Sequence, residues 1–234
     1  MGIVVCGAVK GGVGKSTIAT QVSALRALSH GDVFLYDTDK QKSSLEWCSH
    51  RKKMGIEPDI PFGGSYGRTV AEKIEAKSIA EDRDGNRPYK WLIVDTPGRD
   101  SVELRASLTV ASHLIYPVST GNFDRATLSQ MSFLVEQTLE YNPNLKVSAV
   151  ISNADHNRPK EWQKMREELN AFPSLPFSGV VIRRYAVLNN SFESYLSVVE
   201  DKKKSAGAHE DICSLYKLIF GEEYIGVGAD TVHV

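Results

Sequence analysis

The residues with the clearest chemical capacity are 10–17, which read Lys-Gly-Gly-Val-Gly-Lys-Ser-Thr. The Gly14-Lys15-Ser16 end matches a phosphate-binding P-loop, in which backbone N–H groups surround a polyphosphate, the lysine reaches the β- and γ-phosphates and the hydroxyl binds Mg²⁺. The usual pattern has glycine at position 9, which is Val9 here, and a second lysine, Lys10, opens the loop. Two lysines indicate a narrower group of P-loop proteins.

The segments on either side of this loop support the interpretation. Residues 3–6 are apolar, as in a strand buried on both faces of a parallel sheet. From Ser16 onward, apolar residues recur at helical spacing as far as Gly31. The helix N-terminus would therefore direct its dipole and N–H groups at the phosphates. A dinucleotide-binding turn is the nearest alternative, but Thr17 stands where its third glycine belongs.

Polar residues follow two further buried strands. Asp37 and Asp39 come after the strand at 33–36, and Asp95 follows the strand at 91–94. In an open α/β sheet the ligand lies beyond the carboxyl ends of the strands, so these carboxylates should lie beside the loop. Asp95 is suited to hold Mg²⁺ through its water, because this hard cation prefers oxygen ligands and keeps part of its hydration shell.

Apolar strands and helical patterns alternate along the whole chain. This order predicts an α/β fold, a doubly wound, mostly parallel sheet with helices on both faces. The strands are predicted at 3–6, 33–36, 91–94, 113–118, 147–151 and 177–182, and the helices at 16–30, 43–54, 69–80, 102–111, 123–141, 161–171 and 208–220.

Size and composition agree with one cytoplasmic enzyme domain. The chain has 234 residues and a net charge of 28 minus 29, or −1, so no global basic field indicates nucleic acid. It lacks an apolar stretch of the roughly 20 residues that span a bilayer. Its first residues enter a strand, and its three cysteines lack metal-binding spacing. We expect a single domain over 1–234, with 222–234 as a flexible tail.

These motifs together resemble the ParA/MinD family of deviant Walker-A ATPases. The resemblance is carried by residues 9–17, by Asp37-Thr38-Asp39 and by Asp95-Thr96-Pro97-Gly98, and the order of elements extends it over nearly the whole chain. Within the family, the chain is most similar to a small ParA-type plasmid partition ATPase without an N-terminal helix-turn-helix domain. The resemblance implies a P-loop NTPase fold, with ATP and Mg²⁺ as cofactors.

The resemblance also implies a role for each matching residue. Lys10 would reach across a nucleotide-sandwich dimer to the phosphates of the partner, while Lys15 would contact the β- and γ-phosphates of its own nucleotide. Asp39 would position the attacking water, so Lys10, Lys15 and Asp39 form the expected catalytic set. The remaining implied roles are ATP binding by Gly11, Gly12, Val13, Gly14 and Thr17, the last at the α-phosphate, and support of the metal by Ser16, Asp37 and Asp95.

The chain departs from the family pattern directly after Asp39. The family's usual sequence there is Pro-Gln-Gly, and this chain has Lys40-Gln41-Lys42. The glutamine is retained. The proline, which restricts the backbone, and the glycine, which gives it freedom, are both replaced by lysine. The conformation of this loop and the rate of hydrolysis are therefore the features that the resemblance does not determine.

The expected partners follow from the branch of the family. Residues 221–234 lack lysine and arginine, unlike the basic amphipathic helix that binds MinD proteins to membranes. We therefore expect a homodimer on ATP binding, nonspecific DNA and a centromere-binding, ParB-like adaptor, with nucleoid association in the ATP state and no membrane. Candidate DNA-binding residues are Arg183, Arg184, Lys202, Lys203 and Lys204, with 51–53 as a further basic group; for each group the alternative is a solvated helix face or loop.

Three functions remain open at this stage. The first is a DNA partition ATPase, in which ATP drives dimerisation and DNA binding and the adaptor stimulates hydrolysis. The second is a positioning ATPase for another cargo, such as a conjugation or secretion complex or a protein compartment. The third is a P-loop metabolic ligase of the dethiobiotin-synthetase type. For the nucleotide base we select Asn153, although an asparagine that caps the following helix would look the same in sequence.

Overall fold

One parallel sheet forms the centre of the molecule. The computed structural model of the protein describes residues 1–82, 84–120, 124–203 and 205–226. Within those residues the strands β1 to β7 lie at Gly2–Cys6, Val33–Asp37, Phe62–Gly64, Trp91–Asp95, His113–Ser119, Lys146–Ala154 and Phe177–Arg183. Their spatial order is β3-β2-β4-β1-β5-β6-β7, and every pairing is parallel. The predicted fold class is confirmed.

Helices cover both faces of this sheet. The helices α1 to α8 lie at Lys15–Ser29, Ser43–Lys53, Val70–Ile79, Val102–Val110, Arg125–Tyr141, Pro159–Leu169, Ala186–Glu193 and Ala206–Phe220. Apolar side chains of α1, α2, α7 and α8 form the core on one face, and those of α3 to α6 form the core on the other. In the described part of the chain, no helix combines the length and the apolar character needed to cross a membrane.

Strand β1 occupies the position that the predicted site requires. It pairs with β4 on one side and with β5 on the other. In this register Cys6 lies opposite Asp95, and Asp95 lies opposite Asp37 on β2. The ends of three neighbouring strands are therefore level, so the loop after β1 and both carboxylates meet at one edge of the sheet.

The structure contains two elements that the sequence patterns did not predict. Strand β3 has three residues, two of them glycines, and it pairs only with β2 at the edge of the sheet. Helix α7 has eight residues, including Asn189, Asn190 and Ser191, which favour turns and caps over helix interiors. The helix predicted at 123–141 was expected to start at Phe123, which lies outside the described residues. Helix α5 begins at Arg125.

The first residues beyond α8, within the predicted tail, contact α1 and α8. Buried Arg26 forms a bidentate pair with Asp32 at 2.6 and 2.8 Å and also binds the carboxylate of Glu222. The Tyr216 hydroxyl donates to the same Glu222 carboxylate, and the Tyr224 ring packs against Tyr216. The buried guanidinium needs these partners, so residues 222–224 belong to the domain. Residues 227–234 of the predicted tail lie outside the described residues.

A second buried ion pair joins α2 to the segment before α8. Arg51 is 1% exposed, and its guanidinium binds both carboxylate oxygens of Glu200 at 2.8 Å and stacks on Trp47. It also donates to the carbonyl of Tyr195 at 2.9 Å. The interpretation of 51–53 as a basic surface therefore fails at Arg51, because its guanidinium is buried and paired with Glu200.

This geometry predicts a large loss of stability when the partner of Arg51 is removed. Glu200→Ala leaves a buried, unpaired cation and should lower the free energy of unfolding by about 3 kcal/mol. The matched control is Asp59→Ala, which breaks the exposed Lys52–Asp59 pair at 3.1 Å and should change stability by less than about 1 kcal/mol. Urea denaturation of the nucleotide-free protein measures both. Equal losses would contradict the assignment of Arg51–Glu200 as a structural pair.

Candidate functional site

The loop between β1 and α1 has the backbone geometry of an anion cradle. Gly12 and Gly14 have φ angles of 73° and 91°, in the left-handed region that glycine adopts without strain. The loop is also held from outside. Ser152 at the end of β6 donates its hydroxyl to the carbonyl of Val13 at 2.8 Å, and the Asn153 side chain donates to the carbonyl of Gly12 at 3.2 Å. These two hydrogen bonds tie the loop to the end of β6.

Lys15 is the first residue of α1 and lies largely buried at the base of the loop. Its Nζ donates to the carbonyl of Lys10 at 3.3 Å, so the two loop lysines are in contact through the backbone. Burial lowers the pKa of Lys15, while the nearby carboxylates of Asp95 and Asp39 act in the opposite direction. A buried ammonium held between anions is suited to receive the negative oxygens of a polyphosphate.

Asp37 serves the local architecture of the site. The residue is 0% exposed. Its Oδ1 accepts from the backbone N–H of Asp39 at 2.8 Å, and its Oδ2 accepts from the Ser44 hydroxyl at 2.8 Å and the N–H of Leu45 at 3.0 Å. Burial raises its pKa, and these three donors oppose the rise. Asp37 therefore connects the end of β2 to the start of α2 and fixes the turn that carries Asp39.

Asp95 has the opposite character. It is 1% exposed, and neither carboxylate oxygen has a hydrogen-bond partner among the described residues. Burial and the carboxylate of Asp37 raise its pKa to about 7, against the effect of the Ser16 hydroxyl and Lys15. A buried carboxylate without donors fits a site that a cation or its water completes.

The donor set fits Mg²⁺ bound together with a nucleotide. In the described part of the chain, no group of three or more His, Cys, Asp or Glu side chains could hold a metal by itself. Mg²⁺ commonly uses one or two protein groups and takes its remaining ligands from phosphates and water. Ser16 and Asp95 could supply the protein contribution.

The loop after Asp39 adopts a conformation that glycine would normally occupy. Asp39 Oδ1 accepts from the N–H of Gln41 at 3.0 Å, and the carbonyl of Asp39 accepts from the N–H of Lys42 at 2.9 Å. Lys42 has a φ of 58° and is the residue just before α2. The family pattern has glycine here, so the tertiary structure retains the turn although the residue that favours it is absent. The Lys42 ammonium lies 6.0 Å from the centre of the Tyr66 ring.

One cleft collects the predicted phosphate-binding residues and several that sequence reasoning missed. It is lined by the loop glycines, Lys15, Ser16, Thr17, Asp39 and Asn153. It also includes Gln41, Gly98, Arg99 and Asn189, none of which was assigned a role. The position of Arg99 after Asp95-Thr96-Pro97-Gly98 was the available signal in the sequence. No sequence signal placed Asn189 there, because α7 was not predicted.

A second, smaller pocket continues from the cleft towards β7. It is lined on one side by Gly14, Thr17, Ser152 and Asn153. The opposite side is formed by the end of β7 and by α7, including Ile182, Arg184, Tyr185, Leu188 and Asn189. Asn153 has a φ of 51°, a conformation that asparagine tolerates better than most residues. Asn153 thus lies where the cleft and the apolar pocket join.

The predicted DNA-binding residues fall into two environments. Arg183 forms a fork-like ion pair with Asp211 on α8, and its backbone N–H donates to the same carboxylate at 2.8 Å. This pairing assigns Arg183 a structural role. Arg184 borders the apolar pocket, whereas Lys202 and Lys203 are exposed in the segment before α8. Lys204 lies outside the described residues.

Fold and site together define a P-loop nucleotide-binding domain of the α/β class. Residues 3–198 match the family described as the CobQ/CobB/MinD/ParA nucleotide binding domain. The match covers well over half of the 234 residues, so the chain belongs to this family. The predicted resemblance is confirmed at this level.

Individual relatives agree with the family assignment. The chain is 24% identical over 204 residues to the maintenance of carboxysome distribution protein A of Halothiobacillus neapolitanus, covering 87% of this chain and 89% of that protein. Two solved structures share its fold. The MinD of the Aquifex aeolicus MinC:MinD cell division complex has a TM-score of 0.68 at 15% identity, with 97% of this chain and 98% of that chain covered. A Borrelia burgdorferi plasmid partition protein bound to AMPPNP has a TM-score of 0.61 at 18% identity, with 94% and 97% covered.

The left-handed backbone of Lys42 predicts an unusual response to glycine. Lys40→Gly should lower the free energy of unfolding by about 0.5–1 kcal/mol, because glycine loses more conformational freedom on folding. At position 42 the relief of a strain of about 1 kcal/mol offsets that loss, so Lys42→Gly should leave stability nearly unchanged. Urea denaturation of both variants without nucleotide tests the difference. If the two substitutions destabilise the protein equally, the strained turn at Lys42 is not present in solution.

Proposed function

We propose that this protein is an ATP-dependent DNA partition ATPase of the ParA type. The observation that carries the proposal is the double-lysine loop, with Lys15 buried beside Asp39 and Asp95 at one edge of the sheet. These groups match, residue by residue, what the family resemblance implies for a hydrolytic nucleotide site. ATP drives dimerisation and binding to nonspecific DNA, and a centromere-binding, ParB-like adaptor stimulates hydrolysis and release.

The proposed chemistry is phosphoryl transfer to water. The water oxygen bonds to the γ-phosphorus as the bond to the bridging oxygen breaks, and the electron pair of that bond leaves with ADP. The water protons pass to inorganic phosphate and solvent. Asp39 orients the water, and Lys15 neutralises charge on the β- and γ-phosphates. When bound, Mg²⁺ supplies further charge neutralisation, with Ser16 and Asp95 as its protein contacts.

The base would occupy the smaller pocket between β6, β7 and α7. Its walls include the apolar side chains of Ile182 and Leu188, with Asn153 at the junction to the phosphate cleft. Thr17 lines both spaces, as expected of a residue at the α-phosphate. This arrangement supports the selection of Asn153 as a nucleotide-binding residue, in addition to its hydrogen bond to the loop.

One comparison favours the alternative in which the cargo is not DNA. The Halothiobacillus relative is named for the distribution of carboxysomes, which are not DNA. A positioning ATPase that carries another cargo would use the same nucleotide cycle, DNA binding and dimer. A metabolic ligase would turn over without DNA. ATP-dependent retention on nonspecific DNA separates the ligase from both carriers, and stimulation by the product of the neighbouring gene identifies the cargo system.

The dimer model makes a specific prediction for Lys10. Lys10→Ala should bind ATP within about threefold of the wild-type affinity, because Lys15 and the loop amides still contact the nucleotide. It should fail to form the ATP-dependent dimer and lose adaptor-stimulated hydrolysis. The matched control is Lys15→Ala, which should lose nucleotide binding itself. Light scattering after size-exclusion chromatography measures the dimer, and a Lys10→Ala variant that dimerises normally would refute the sandwich arrangement.

Nonspecific DNA binding should depend on the exposed lysines before α8. Neutralising Lys202 and Lys203 together should weaken binding of the ATP-bound protein about equally on all sequences and reduce the salt slope by roughly 2, about one per phosphate contact. The control is the double alanine variant of Lys160 and Lys164, two exposed lysines on α6. Fluorescence anisotropy at several salt concentrations gives both quantities. Equal effects of the two double variants would remove the predicted site.

A further inference from the structure

Arg99 is a cation in the phosphate cleft for which the family motifs supply no role. It lines the same space as Lys15, Asp39 and Gln41. It directly follows Gly98 in the segment between β4 and α4. The cleft therefore contains two cationic side chains of the same protomer, Lys15 from the P-loop and Arg99 from outside it.

The position of Gly98 places Arg99 near the terminal phosphate. A Cβ atom built at position 98 would lie 2.9 Å from Lys15 Nζ and 2.7 Å from the Cα of Gly11. Only glycine allows this close approach of the backbone to the loop lysine. The Cα of Arg99 is about 3.8 Å further along the chain, so its side chain begins beside the ammonium that receives the β- and γ-phosphates.

The charge of Arg99 is not used by a neighbouring carboxylate. The adjacent Asp100 is bound by Arg105 through two hydrogen bonds, at 2.7 and 2.8 Å. Across residues 1–82, 84–120, 124–203 and 205–226, no carboxylate forms an ion pair with Arg99. The residue is exposed to the solvent that fills the cleft. This differs from Arg183, Arg51 and Arg26, each of which is paired within the fold.

We infer that Arg99 contacts the γ-phosphate of the nucleotide bound to its own protomer and stabilises the charge that develops there during hydrolysis. The inference rests on the proposed ATPase function. A guanidinium presents a planar fork of donors that matches phosphate oxygens, and it keeps its charge under all relevant conditions. An arginine supplied within the same chain is an established way to stabilise phosphoryl transfer.

The composition of the cleft favours a nucleotide phosphate over DNA as the anion. Arg99 shares the cleft with Lys15, Ser16 and the glycines of the loop, the groups that bind a nucleotide polyphosphate in a P-loop. The exposed Lys202 and Lys203 belong to a different segment, before α8. The contribution of Arg99 to binding affinity is therefore expected to depend on the number of phosphates on the nucleotide.

Arg99→Ala tests the contact by comparing two nucleotides and one rate. ADP affinity should stay within about twofold of wild type, whereas affinity for ATPγS should fall at least about fivefold, because only ATPγS carries a γ-phosphate analogue. Single-turnover ATP hydrolysis should slow by at least about tenfold. Arg99→Lys should recover part of the ATPγS affinity but less of the rate, since lysine lacks the fork. Arg87→Ala, an exposed arginine in the 84–90 segment, is the matched control.

A mixing experiment determines which protomer Arg99 serves. Arg99→Ala is mixed at saturating ATP with Asp39→Ala, which lacks the carboxylate that orients the water but keeps the nucleotide-binding loop, so that both protomers can enter the ATP-dependent dimer. If Arg99 acts within its own chain, the mixture stays as slow as Arg99→Ala alone. Recovery of hydrolysis would place Arg99 in the partner's site and overturn the inference.

Two other results would also overturn the inference. One is wild-type hydrolysis and ATPγS affinity in Arg99→Ala, and the other is an equal loss of ADP and ATPγS affinity. Failure of the proposed function would look different, because the wild-type protein would then lack ATP hydrolysis. The comparison of ATPγS with ADP would still decide whether Arg99 contacts the γ-phosphate.

Discussion

The structure depends on the burial of opposite charges at one edge of the parallel sheet. Asp37 and Asp95 lie opposite each other in register at the ends of β2 and β4, and Lys15 begins the helix that follows β1. Burying such groups is unfavourable unless each is paired. Asp37 satisfies this with three internal donors. Neither oxygen of the buried Asp95 carboxylate has a hydrogen-bond partner among the described residues, which is the environment that a bound cation or its water would suit.

The remainder of the fold holds that edge rigid. The Arg51–Glu200 pair connects α2, which starts at the Asp37 turn, to the segment before α8. Arg26 on α1 is bound by Asp32 and by Glu222 beyond α8. Both guanidinium groups are buried, and each joins elements that are distant in sequence. Helices α1 and α2, which begin at the cleft, are thereby anchored near their C-terminal ends.

The loop after Asp39 and the segment after Asp95 both border the phosphate cleft. Lys42 retains a left-handed turn although the usual glycine is absent, because the N–H groups of Gln41 and Lys42 donate hydrogen bonds to Asp39 and hold the loop. Arg99 enters the cleft beside Gly98, whose lack of a side chain lets the backbone approach Lys15. Lys15 and Arg99 bring positive charge into the cleft from two segments. Under the proposed function, these two cations of one protomer would neutralise phosphate charge in addition to the lysine expected from a partner.

The sequence by itself determined the fold class, the family and the phosphate-binding loop, because local periodicity and a compact motif carry that information. It also placed Asp37, Asp39 and Asp95 at strand ends, where parallel topology brings them together. Only the tertiary structure distinguished Asp37 from Asp95, because the folded turn and the start of α2 give Asp37 three donors, whereas neither Asp95 oxygen has a hydrogen-bond partner among the described residues. Arg51 and Arg183 also needed the tertiary structure, because their acidic partners lie far along the chain. Short β3 and α7 escaped prediction because neighbouring strands and helices, rather than local preference, stabilise them.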